Sequence, residues 1–89
     1  MINKQVKIIN KLGLHARAAA KLVKLASRFN SYIELQTLHK SANGKSIMSI
    51  MMLAAAQGTD IHLIIEGDDE QQAFTAIETL IKQRFDEKE

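Results

Sequence analysis

Cysteine, proline and tryptophan are absent from this 89-residue chain, and its aromatics are one Tyr and three Phe. The lack of cysteine excludes disulfide scaffolds, thiolate zinc sites, iron–sulfur clusters and redox pairs at once. It also suits a reducing compartment. Long apolar runs are missing as well. The longest stretch free of Asp, Glu, Lys and Arg is Ser46 to Thr59, shorter than the roughly 20 residues that a membrane-spanning helix needs. Lys4 and Lys7 fall where a signal peptide needs an unbroken apolar segment. No Pro/Ser-rich linker, low-complexity stretch or internal repeat divides the sequence. The expectation is a soluble, cytoplasmic protein with one domain over residues 1–89.

The apolar share of 46 % and charged share of 25 % lie near globular averages and away from the disordered corner. A chain this short buries only about 60–65 % of the surface it exposes when unfolded, enough for one core. The net charge of +2 hides a gradient: residues 1–45 carry nine basic groups against Glu34, whereas residues 46–89 carry nine acidic and three basic groups. The two halves are therefore +8 and −6. Such a split either marks a face for an anion or acidic partner, or disappears when the halves fold together.

Hydrophobic periodicity gives the elements. Ile2 to Ile9, with Ile2, Val6 and Ile8 on one parity, reads as a strand, and Leu12-Gly-Leu-His as a turn. From Ala16 to Arg28 the period is helical, with Ala19, Leu22, Val23 and Ala26 on one side and Arg17, Lys21, Lys24 and Arg28 on the other. Tyr32 to Leu38 alternates as a half-buried strand, and His39 to Lys45 has room for a short partner strand ending at Asn43-Gly44. Ser46 is a good N-cap for a short helix from Ile47 to about Leu53. Ile61, Leu63 and Ile65 mark another strand, and Asp68-Asp69-Glu70 opens a helix with Ala73, Phe74, Ile77, Leu80 and Ile81 inward. The order β-α-β-β-α-β-α predicts an α+β fold, with helices covering one face of a small, largely antiparallel sheet.

Three short segments carry chemistry. In Gly13-Leu-His-Ala-Arg a histidine sits where a glycine turn feeds a helix. The unpaired N–H groups and positive dipole end of a helix N-terminus favour a phosphate. An imidazole there could hold a phosphoryl group, with Arg17 adding a charge-assisted contact. The residues alone leave two readings, a phosphoryl relay or an exposed histidine that merely starts a helix. Gly44-Lys-Ser is no P-loop, because the required glycine five residues earlier is His39. What remains is Ser46 as a cap, where a phosphate would be tolerated. The segment Ile47-Met-Ser-Ile-Met-Met-Leu is apolar nearly all round, so it is either core or an adaptable contact surface. The two long helices already cover the sheet, which argues that some of these side chains are exposed.

Other chemistries fare worse. His15, His39 and His62 lie on separate elements with no metal-ligand spacing, so neither a metal nor a cofactor is expected. Nucleic-acid binding is the main rival, given a pI near 9.0, but the strands offer few aromatics for base stacking and there is no GXXG loop.

Taken together, Gly13-Leu-His-Ala-Arg-Ala-Ala and Gly44-Lys-Ser-Ile-Met-Ser-Ile-Met resemble the active-site and regulatory-serine signatures of the histidine-containing phosphocarrier (HPr) family of the bacterial phosphoenolpyruvate-dependent sugar phosphotransferase system. The resemblance spans essentially the whole chain in the same element order. It implies an open-faced β-sandwich, a four-stranded antiparallel sheet covered on one face by three helices, and a monomeric carrier rather than an enzyme. By this match His15 takes phosphate on Nδ1 from phospho-enzyme I and passes it to enzyme IIA domains, with Arg17 and the Ala16 backbone N–H holding the phosphate. Ser46 matches the position modified by HPr kinase/phosphorylase. Arg17, Ala20, Lys24, Ile47, Met48 and Met51 match the partner-docking surface. Two departures stand out: Ala18 replaces a usual Pro, and Ser49 a frequent Gly. A nitrogen-related paralogue shares the histidine motif, so a purely regulatory role stays open beside sugar uptake.

Overall fold

The computed structural model describes residues 1–89. Four strands, β1 (Ile2–Lys7), β2 (Tyr32–Gln36), β3 (Ser41–Asn43) and β4 (Asp60–Glu66), form one antiparallel sheet in the order β1-β4-β2-β3. Three helices join them: α1 (Ala16–Ala26), α2 (Ile47–Leu53) and α3 (Glu70–Lys82). A 3-10 turn, Arg84–Asp86, follows α3. The expected open-faced α+β sandwich is the observed one.

Side-chain alternation decides which face is covered. Ile33 and Leu35 on β2 and Ile61, Leu63 and Ile65 on β4 are buried under the helices. The opposite parity, including Glu34 opposite Ile64 and Gln36 opposite His62, faces away. From above, α1 contributes Ala18, Ala19, Leu22 and Ala26 to the core, and α3 contributes Ala73, Phe74, Ile77 and Ile81. Leu80 and Val23, expected inward, are only partly buried at the edge of this cluster. Ile2 and Val6 also lie at its margin, because β1 is an edge strand.

Helix α1 stops at Ala26 and β2 at Gln36, each two residues before its expected end. Helix α3 starts at Glu70, with Asp69 as its N-cap residue. The Asp69 carboxylate does not cap its own helix. It accepts from the N–H groups of Asn30 and Ser31 at 2.9 and 3.0 Å and from the Ser31 hydroxyl at 2.5 Å. These bonds, that of the Ser31 hydroxyl foremost, hold its carboxyl below the usual carboxylate range and tie the α1–β2 loop to the start of α3. No helix is long and apolar enough to cross a membrane.

The path of the chain beyond α3 is one that the sequence reading leaves unplaced. Phe85 stands four residues after Ile81, a spacing that continues the helical period. The chain instead leaves the helix, and Arg84, Phe85 and Asp86 all take left-handed backbone angles with φ of 57°, 53° and 64°. This reversal drives the Phe85 ring into the core, where it is fully buried, and turns the last residues back across the start of α1.

The alternation on β4 gives a direct test. Leu63→Ala should cost about 2–5 kcal/mol by opening a cavity beneath the helices, whereas Ile64→Ala on the open face should cost under about 1.5 kcal/mol. Denaturant unfolding of both variants would measure this, and equal losses would contradict a sheet covered on one side.

Candidate functional site

Gly13 shapes the approach to α1. Its φ is +67°, and a Cβ there would lie 2.5 Å from the Ala55 carbonyl oxygen, so glycine is required on both counts. The turn is closed by a 3.1 Å bond from the Gly13 N–H to the Asn10 carbonyl. The buried Asn10 amide also donates to the Gly13 carbonyl at 2.8 Å. Leu14 is buried beside it and its N–H bonds the Ala55 carbonyl at 2.9 Å. These contacts fix the residue that comes next.

His15 is the N-cap residue of α1, with extended backbone angles and no side-chain capping bond. A capping side chain would consume an N–H of the first turn. This one does not, so the N-terminal N–H groups stay free for an external acceptor, beside the positive end of the helix dipole. The imidazole is about one-quarter exposed. Its hydrogen bond to the protein is made at Nε2, with a Glu87 carboxylate oxygen. Nδ1 is thus the ring nitrogen left without a hydrogen-bond partner in the protein. Ala16 and Arg17 follow in the first turn and are exposed. Together with Lys11, Leu12 and residues 87–89 they line a depression of about 760 Å³ around His15.

The returning C-terminal segment was not foreseen, and it supplies one wall of this depression. Glu87 bonds His15 through one oxygen and accepts from the Asn10 amide at 3.1 Å through the other. Lys11 is tied to Glu89 through a 2.6 Å backbone bond and a 3.5 Å ion pair. Lys21 donates to the Phe85 carbonyl at 2.9 Å and pairs with Asp86 at 3.6 Å. Burial alone would push the Glu87 carboxyl up. The bonds from His15 and Asn10 and the charges of His15 and Arg17 outweigh it and hold the group below its ordinary value.

These contacts answer the question that the charge gradient left open. Acids of the second half do reach the basic first half: Asp60 pairs with Lys7 at 3.3 Å, Glu70 with the N-terminal amine at 3.2 Å, and the C-terminal segment meets Lys11, His15 and Lys21. Lys21 therefore drops out of the expected basic stripe, while Arg17, Lys24 and Arg28 remain exposed on α1.

Of the other singled-out residues, Ala20 and Lys24 are exposed on α1, and α2 packs beside that helix and β3. Ser46 caps α2, its hydroxyl accepting from the Ser49 N–H at 3.2 Å. Ile50 and Leu53 anchor α2 in the core, which leaves Ile47, Met48 and Met51 exposed at 45, 67 and 42 %. Met52 and Leu12, both overlooked in the sequence, are equally exposed. A short helix pinned by two side chains necessarily turns the rest of its apolar circumference outward. Lys45, of the rejected P-loop pattern, donates to the Phe29 carbonyl at 2.7 Å and serves as a strut. No cluster of three or more His, Asp or Glu is placed to hold a metal ion.

The family model described as "PTS HPr component phosphorylation site" matches residues 2–83. The chain belongs to the HPr phosphocarrier family. It is 51 % identical over 86 residues to the phosphocarrier protein HPr of Pseudomonas aeruginosa, covering 96 % of both chains. A crystal structure of HPr from Thermoanaerobacter tengcongensis, 45 % identical, superposes on all of both chains with a TM-score of 0.95. A dimer of HPr from the same organism aligns over 98 % of this chain and 100 % of that one with a TM-score of 0.78 and 46 % identity. HPr proteins belong to the phosphotransferase system and act as phosphocarriers rather than enzymes.

The depressed Glu87 titration has a definite sign. A carboxyl lowered in the folded protein stabilises the docked tail above its unfolded pKa, and this is lost as pH falls through the folded value. The Phe85 ring resonances should therefore stay native down through the ordinary Glu range and relax only below it. A transition centred at or above the ordinary Glu value would contradict the bonding described.

Proposed function

We propose that this protein carries a phosphoryl group on His15, taking it from phospho-enzyme I and passing it to enzyme IIA domains. The observation that carries this reading is the combination at the head of α1: an uncapped helix N-terminus and an adjoining imidazole engaged through Nε2. Family membership supplies the reaction class.

In each transfer the Nδ1 lone pair attacks phosphorus, and the donor's N–P bond breaks with its electron pair returning to the donor imidazole. The phosphoryl oxygens then lie within reach of the Ala16 N–H and neighbouring first-turn groups, where the helix dipole favours negative charge. Arg17 adds a charge-assisted contact. These groups hold the phosphate without a metal, so release to the next acceptor requires only displacement at phosphorus.

Arg17, Ala20 and Lys24 on α1, with Ile47, Met48 and Met51 on α2, form the docking face in this reading. It is supported by their exposure on adjacent helices and by the flexibility of Met at surfaces that meet several partners. Exposed charges such as Lys24 raise encounter rate and selectivity more than affinity, as a shuttle that must depart requires. Ser46 is the proposed regulatory position. A phosphate there would lie at the start of α2, adding about −1.5 to −2 charges beside the Met face.

The deciding experiment is phosphate transfer from phosphoenolpyruvate with enzyme I, read by intact mass before and after acid. The wild-type protein should gain one acid-labile phosphate and His15→Ala none; a labile phosphate on His15→Ala would refute the assignment. Lys24→Glu should slow transfer at low salt by about 10-fold and flatten its salt dependence. A low-salt rate equal to wild type would remove the steering role. Sugar uptake and a purely regulatory, nitrogen-related role share this chemistry, and competition among purified enzyme IIA domains for the phosphorylated protein separates them.

A further inference from the structure

We propose that Glu87 is a positioning residue for His15: it holds the ring in the Nε2–H form, so that Nδ1 presents the nucleophilic lone pair, and it neutralises the charge that phosphorylation places on the ring. The inference rests on the carrier reading above and extends the site to the C-terminal segment.

The contact is built rather than incidental. One Glu87 oxygen meets Nε2 while the other accepts from Asn10, whose amide is fully buried and also grips the Gly13 carbonyl. Asn10 thereby links the carboxylate to the turn that sets His15 in place. The backbone on either side is anchored independently. The buried Phe85 ring and the Lys21 bond to its carbonyl hold one end, and the Lys11–Glu89 backbone bond holds the other. A surface glutamate that met a histidine by chance would have none of these restraints.

A carboxylate can only accept, so the Nε2 it faces must bear hydrogen, and the lone pair of a neutral ring is then on Nδ1. When Nδ1 attacks phosphorus and the donor's N–P bond breaks, the Nε2 proton stays where it is. The ring becomes cationic beside its new phosphoryl group, and Glu87 compensates that charge at the opposite nitrogen. The reverse displacement returns the electron pair to Nδ1 and restores the neutral ring with the same tautomer. No proton need leave or enter the site in either direction. The arrangement follows the logic of metal-ligating histidines whose second nitrogen is fixed by a carboxylate, in which removal of the partner costs about 10–100-fold.

The test combines two measurements on wild type, Glu87→Ala and Glu87→Gln. The first is the 15N spectrum of the His15 ring in the unphosphorylated protein, which needs no phosphotransfer. The second is phosphoryl acceptance from phosphoenolpyruvate and enzyme I over a range of carrier concentrations. Wild type should show the Nε2–H tautomer alone. Glu87→Ala should show both tautomers and a maximal rate about 10-fold lower with little change in half-saturating concentration. Glu87→Gln offers a single acceptor oxygen to two donors, Asn10 and His15, and no charge, so it should weaken the tautomer preference and fall between the two in rate.

A Glu87→Ala ring spectrum or maximal rate equal to wild type would overturn the proposal while leaving the carrier reading intact. So would a loss confined to the half-saturating concentration, which marks a tail that only shapes docking. Failure of the wild-type protein itself to accept phosphate would remove the carrier reading, and the positioning role with it.

Discussion

The arrangement around His15 depends on a helix that begins without a side-chain cap. Most helices spend their first-turn N–H groups on a serine, threonine or aspartate at the N-cap. Here the N-cap side chain is an imidazole that bonds elsewhere. The sequence can leave those donors open because the preceding turn is held by other means: Gly13 in a left-handed conformation, Leu14 bonded to Ala55, and Asn10 beneath. Stability that a cap would normally supply comes from the loop. The same molecule offers the contrast at α2, where Ser46 does cap its helix. Of these two helix starts one is open to an external anion and the other is closed; α3 also begins without a side-chain cap, but there the N-cap residue is itself a carboxylate, Asp69.

Electrostatics then divides α1 along its length. Near its start the C-terminal segment returns acidic groups to Lys11, His15 and Lys21, so the local field is close to balanced. Farther along, Lys24 and Arg28 stay unpaired and exposed, lining a shallow depression with Leu80 and Asp86, while α2 packs beside α1 with bare Met side chains of its own. Exposed charge of one sign on one helix and an apolar patch on its neighbour are the features that the proposed docking face needs for fast encounter and modest affinity. The apolar part is a geometric consequence of α2 itself, which has only two core anchors in seven residues.

How much of this was legible in the sequence follows from the range of each interaction. The strands came from alternation, and α2 was legible to the residue because Ser46 and the apolar run define it locally. The histidine turn was legible because glycine, helix start and arginine are neighbours in sequence. That some apolar side chains of α2 are exposed followed from counting which helices already covered the sheet, and the family resemblance singled out Ile47, Met48 and Met51 among them. By contrast, Glu87 and His15 are 72 positions apart, and nothing local in Asp86-Glu-Lys-Glu distinguishes a returning strap from a frayed end. Phe85 gives no local sign of the reversal either, since its distance from Ile81 continues the helical period. Asn10 was not singled out in the sequence, since nothing local signals the two bonds its amide makes. Lys21 shared the spacing of its basic neighbours, and only the fold reveals that a carbonyl and an aspartate occupy it.

The returning segment is held by a small difference between opposing terms. Three successive non-glycine residues in left-handed conformations cost about 1–2 kcal/mol each. Burying the Phe85 ring returns about 2–3 kcal/mol, and each hydrogen bond such as Lys21 to the Phe85 carbonyl adds about 1 kcal/mol. Strain and anchoring nearly cancel, so the contact at His15 weighs heavily in whether the segment stays docked. Coupling runs in both directions. A ring that becomes cationic strengthens its hold on Glu87 and with it the whole strap, whereas loss of the Glu87 charge loosens Phe85, Asp86 and Lys21 together. The C-terminal residues are therefore energetically part of the histidine site, although they join it from the far end of the chain.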